Sequence, residues 1–132
     1  MRTVLAVAIL ASSGCATTLE DAVSQRAHGT SAVYHATESR AVEAAREVFL
    51  GVGADPVTVE GGRITGASLF PLHGCPEAPG IMVGNFMAAW VEPEGPDTVR
   101  VTVVTRRRSA FEFPMNLTES VFHERMRAIL AR

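Results

Sequence analysis

Lysine is missing from this 132-residue chain. All 12 of its strongly basic side chains are arginine, against 14 Asp and Glu, and the net charge is −2. So mild a balance gives bulk charge no hold on nucleic acid, and no nucleic-acid partner is expected. All-arginine usage fits a GC-rich coding sequence, and it leaves guanidinium as the group available for bidentate contacts to carboxylate or phosphate. Cysteine is scarce, with only Cys15 and Cys75 present. No apolar run approaches the roughly 20 residues that cross a bilayer as a helix. The G-x-S-x-G, Walker, Rossmann, H-E-x-x-H and EF-hand patterns are absent, so no catalytic residue, metal ligand or cofactor is assigned and an enzyme is not expected. There is no internal repeat. What the chain does have is apolar content: 47% of residues, enough for one core without disulfides.

The first residues carry an address. Met1-Arg2 is a positive start, Val4 to Ala11 a short apolar run, and Ser12-Ser13-Gly14-Cys15 a small-residue end. This is the layout of a secretory signal. At Gly14-Cys15 it resembles the lipobox of bacterial lipoproteins, with Ser12 standing where that pattern favours leucine. The resemblance covers about the first 16 residues. It implies a lipoprotein signal peptide over 1–14, diacylglycerol on the Cys15 sulfur, and cleavage before Cys15. Acylation of the new amino terminus (palmitate in such proteins) then follows. Ala16, rather than aspartate, implies the periplasmic face of the outer membrane. Two or more acyl chains hold a protein stably where one does not. The alternative is ordinary cleavage after Ala16, which releases a soluble chain. Once Cys15 is lipidated it cannot form a disulfide, and Cys75 is left as a small buried residue, an intermolecular bridge or a reactive thiol.

The mature chain reads as one domain over 30–132 behind a tether at 15–29. Thr18-x-x-Asp21 offers a cap for a short helix carrying Leu19, Ala22, Val23 and Ala27, but a flexible tether is the simpler reading. Ser31 to Ala36 alternates as a strand. From Thr37 or Ser39, Val42, Ala45, Phe49 and Val52 recur at helical spacing, and Gly51, Gly53 and Pro56 end the helix. Val57-Thr58-Val59-Glu60, Gly61-Gly62 and Arg63-Ile64-Thr65 predict a hairpin whose two glycines both take positive φ. Leu69 to Gly80 is expected to be a long Pro- and Gly-rich loop. Ile81 to Val91 is apolar on both faces, which predicts a central strand with a bulge at Gly84-Asn85. A turn at Pro93–Asp97 leads to the half-buried strand Val99, Val101, Val103. Asn116-x-x-Glu119 resembles a capping box before a last helix striped by Val121, Phe122, Met126, Ile129 and Leu130. The order β-α-β-β-β-β-α predicts an α+β fold: an antiparallel sheet of four to five strands with two helices on one face. In element order it resembles the small α+β domains of envelope lipoproteins of the BamC type, an analogy of fold alone.

Two local features are candidate binding residues. His73 and Cys75, two apart in the long loop, are types that bind metal or form a thiolate–imidazole pair. No second pair completes a zinc site, and His28, His35 and His123 are scattered. Arg106, Arg107 and Arg108 end a strand beside Phe111 and Phe113. They suit anionic headgroups, envelope polymer phosphates or an acidic protein patch, or they simply guard a strand end. The leading expectation is a lipid-anchored accessory lipoprotein whose non-catalytic domain binds an envelope protein or polymer. The alternatives are a small lipid- or hydrophobic-ligand-binding module, with its pocket between sheet and long helix near Phe86 and Trp90, and a thiol enzyme using Cys75.

Overall fold

A computed structural model describes residues 19–71, 82–107 and 117–132. The described elements open with a short helix α1 (Leu19–Ser24) and a 3₁₀ turn, Arg26–His28. Strand β1 (Thr30–His35), helix α2 (Glu38–Gly51) and strands β2 (Val57–Glu60), β3 (Arg63–Pro71), β4 (Met82–Gly95) and β5 (Thr98–Arg107) follow. Helix α3 (Glu119–Leu130) comes last. The strands form one sheet in the order β1-β5-β4-β3-β2, and every pair is antiparallel. The fold is α+β with a five-stranded antiparallel sheet, as the periodicities predict. Four strands form a continuous meander, and β1 sits beside the last of them. Helix α2 therefore carries the chain across the sheet from one edge strand, β1, to the other, β2.

Strand alternation sorts the side chains into two cores. Ile64, Met87, Ala89, Val91, Val99, Val101 and Val103 share one face with Ala41, Ala45, Val48 and Phe49 of α2 and with Phe122, Met126 and Ile129 of α3. Small alanines along α2 let its axis lie close to the sheet. The ring of Phe49 meets that of Phe122 at 5.7 Å, tying the two helices together. On the opposite face, Phe86, Ala88, Trp90 and Val104 pack under Ala22, Leu19 and Val23. The doubly apolar β4 is thus a central strand covered on both sides, and α1 is the second cover. The stretch expected to be tether is folded from Leu19 onward. Ala22 is fully buried, and that burial is what fixes so short a helix.

The ends of the long helices have identifiable causes. The Thr37 hydroxyl accepts from the Arg40 amide at 3.3 Å, capping α2. Gly53 at φ +84° closes it: the Ala54 amide reaches the Phe49 carbonyl at 3.1 Å and the Gly53 amide the Leu50 carbonyl at 3.0 Å. Helix α3 is capped by Thr118, whose hydroxyl accepts from the Val121 amide at 3.1 Å. Glu119 is therefore the first helical residue and not the third position of a capping box opened by Asn116, itself outside the described residues. Its carboxylate is free to bridge two strands, accepting from the Thr30 hydroxyl and, at 3.2 Å, from the Thr105 amide.

Three local expectations change. The β3–β4 ladder runs unbroken through Leu69↔Gly84 and Ser68↔Asn85, so the long loop starts later than Leu69 and no bulge falls at Gly84-Asn85. The irregularity lies instead between Pro93 and Gly95, because proline has no N–H to give the ladder. In the β2–β3 turn only Gly61 has positive φ, at +58°. Gly62 is required for a different reason. Its carbonyl accepts from the Val91 amide at 2.8 Å, and a Cβ there would stand 2.5 Å from the Val91 oxygen.

Candidate functional site

The candidate residues meet the structure unevenly. Cys15, His73, Cys75 and Arg108 lie outside the described residues, and Arg107 is described in its backbone alone. Arg106 stands opposite Phe86 in the ladder, on the face that α1 covers, and donates to the Gln25 side chain at 3.0 Å. It is therefore half-buried and docked on its own chain. One residue on, Arg26 lies over the Trp90 ring, 5.3 Å from its centroid, and pairs with Glu92. Cation–π and ionic contacts of this kind hold the segment after α1 against the sheet. Phe111 and Phe113 lie outside the described residues; among those described, Arg26 and Trp90, 64 residues apart in the sequence, make an arginine–aromatic contact.

The outer surface of the helix layer carries a groove of about 280 Å³ between α2 and α3. Val48, Gly51, Ala128 and Ile129 line it together with the charged Glu47, Arg125 and Arg132. Arg132 donates to Glu47 at 2.9 Å, and Arg125 has no ion-pair partner among the described residues. Small residues on facing helices, Gly51 and Ala128, open the space. A β-carbon added at Gly51 would meet nothing within 4 Å. With Arg132 neutralised by Glu47, an apolar trough beside Arg125 suits a group that is part hydrocarbon and part acid. The facing small residues were present in the sequence as a signal, but reading them needed the pairing of α2 with α3.

A second cluster was not foreseen. His123, 4% exposed, presents Nε2 to the Thr30 carbonyl at 2.8 Å. That oxygen can only accept, so Nε2 carries the proton and Nδ1 accepts the hydroxyl of Tyr34. The two rings stack at 5.8 Å, and Phe122 meets the imidazole edge-on at 5.2 Å. Burial pushes the Tyr34 hydroxyl up to about 12, against the opposing pull of Arg127. Burial holds the His123 imidazole below its ordinary 6.5; Arg127 adds to this, while the Thr30 hydrogen bond and Glu119 oppose it. His28 and His35 are exposed and stand apart from this cluster. The neutral ring thus fastens α3 to β1.

A pH dependence follows. The unfolded chain takes up the proton near 6.5 and the folded chain only at lower pH. The stabilisation is whole above 6.5 and is lost as pH falls through the folded value. Thermal melts from pH 8 to 5 should show a decline below 6.5 that is clearly shallower in a His123→Gln variant. Parallel declines would show that His123 is not the group responsible.

Among the described residues no three His, Cys, Asp or Glu side chains gather as a metal site would require. No described helix is long and apolar enough to cross a membrane. Comparison with protein-family models, curated proteins and solved structures finds no match.

Proposed function

We propose that this chain is a lipid-anchored accessory protein of the bacterial cell envelope, carried on the periplasmic face of the outer membrane, whose folded domain binds an envelope protein or polymer without catalysis. The observation that carries the reading is the placement of Cys15. It ends a signal-like leader and stands four residues before Leu19, the first of the described residues. Four residues reach at most about 14 Å, so acyl chains on Cys15 would hold the α1 face close to the bilayer. The α2–α3 groove lies on the other side of the sheet, facing away from that surface. Its apolar lining and Arg125 support contact with an acid-bearing partner in the aqueous compartment. The motive for a ligand between sheet and long helix is weakened, because α1 already covers Phe86 and Trp90 and Phe49, Phe122, Ile64 and Met126 fill the helix-side layer.

The test is Cys15→Ser in the full chain. The parent should fractionate with membranes and release a mature amino terminus carrying diacylglycerol and acyl mass. The variant should keep its leader or appear in the soluble fraction, at least tenfold depleted from membranes. A variant that is processed and sediments as the parent does would refute the anchor.

A further inference from the structure

The two edges of the sheet are defended very differently. Strand β2 is four residues long, follows Pro56, and carries Glu60 in an ion pair with Arg63. Strand β1 has none of these devices. Thr30–His35 contains no proline, glycine, arginine or carboxylate, and its register against β5 is unbroken over six residues. A regular, charge-free edge is a template for another strand. Val33, on the α1 side of the sheet, is 51% exposed, the most exposed large apolar side chain among the described residues.

We propose that β1 pairs antiparallel with β1 of a second copy of this chain, with Val33 at the two-fold axis, joining two five-stranded sheets into one. Closed two-fold symmetry is the commonest arrangement of identical chains. Between antiparallel copies of one edge strand the axis stands normal to the sheet, so residues directly opposite share a face. Centring on Val33 sets its side chain against its own copy, Ser31 against His35 and Ala32 against Tyr34. No like charges meet. The Thr30 carbonyl is already engaged by His123, and pairing begins at Ser31.

The same axis puts α1 of both copies on one side and both helix layers on the other. Here the inference leans on the proposed anchor, because a two-fold axis normal to the sheet keeps both α1 faces, and so both Cys15 residues, toward one bilayer. Confinement there raises the effective concentration of a weakly pairing edge.

Directly opposed residues of an antiparallel pair have Cβ atoms roughly 4.5–5.5 Å apart, within reach of a disulfide after small adjustment. In full chains with Cys75→Ser, membranes holding Val33→Cys should give at least tenfold more disulfide dimer on mild oxidation than membranes holding Thr58→Cys on β2. Ser31→Cys and His35→Cys should cross-link to each other when co-expressed and not when expressed alone. Val33→Lys should abolish that Ser31–His35 cross-link while leaving the far-ultraviolet circular dichroism melt unchanged. A Val33→Cys chain that stays monomeric, or a cross-linked product that is not twice the chain mass, overturns the proposal. Cross-linking of Val33→Cys that persists in concentrated Cys15→Ser chain supports edge pairing even if the anchor fails.

Discussion

Replacing Phe122 by alanine is expected to lower the unfolding free energy by about 3–5 kcal/mol, the range for deleting a fully buried aromatic side chain. Phe122 is fully buried and joins α3 to two other elements: it packs in the sheet's helix-side core and meets Phe49 of α2, while its ring borders that of its chain neighbour His123. Its loss leaves a cavity where α2, α3 and the sheet meet, and rigid alanines along α2 give the neighbours little to fill it with. Denaturant melts of parent, Phe122→Ala, Phe49→Ala and the double variant measure the effect. The aromatic pair should add a coupling of about 0.5–1.5 kcal/mol beyond the separate losses. A loss below about 1 kcal/mol for Phe122→Ala would mean that this junction is not packed as described.

The β2–β3 turn gives the second large effect, and it separates two glycines that look alike in sequence. Gly62→Ala is expected to cost about 2–4 kcal/mol: overpacking against a backbone oxygen, plus loss of a backbone hydrogen bond. The added carbon would lie 2.5 Å from the Val91 carbonyl of the central strand, which cannot swing aside as a side chain can. Gly61→Ala meets nothing within 4 Å and suffers only the left-handed backbone at φ +58°, about 1–2 kcal/mol. Unfolding curves that rank the two variants in the opposite order would show that turn conformation, and not the approach of β4, selects Gly62.

That pair of glycines marks where reading the sequence stops. Gly-Gly between two alternating segments announces a hairpin, because the signal is local. The reason for Gly62 is a strand some thirty residues away, invisible until the sheet is assembled. The same division runs through the chain. Val42, Ala45 and Phe49 at helical spacing, and Val99, Val101 and Val103 at strand spacing, report their own burial. The sheet, its hairpins and the two long helices were therefore legible. Helix α1 was legible only as an alternative to a tether, since six residues with no strong period owe their structure to the apolar surface of β4 beneath them. For the same reason Phe86 and Trp90 suggested a ligand where the chain supplies its own cover. Arg106 was legible as a charge but not as a side chain docked on Gln25. The His123–Tyr34 pair joins residues 89 apart, and a single histidine in a helical stripe gives no hint of it. His73 and Cys75 remain as the sequence presents them.

The sheet order has a temporal meaning. Strand β1 leaves the ribosome, and on the proposed route the export channel, before any of the meander, yet among the described residues its one neighbour in the sheet is β5. Thr30 finds Val103 across 73 residues of chain. The adjacent hairpins β2–β3, β3–β4 and β4–β5 close short loops and can assemble first, whereas long loop closure is slow. An emerging chain therefore displays its uncharged first strand until nearly all of the rest has arrived. The partner of that strand thus arrives last, and completion of the sheet waits on β5.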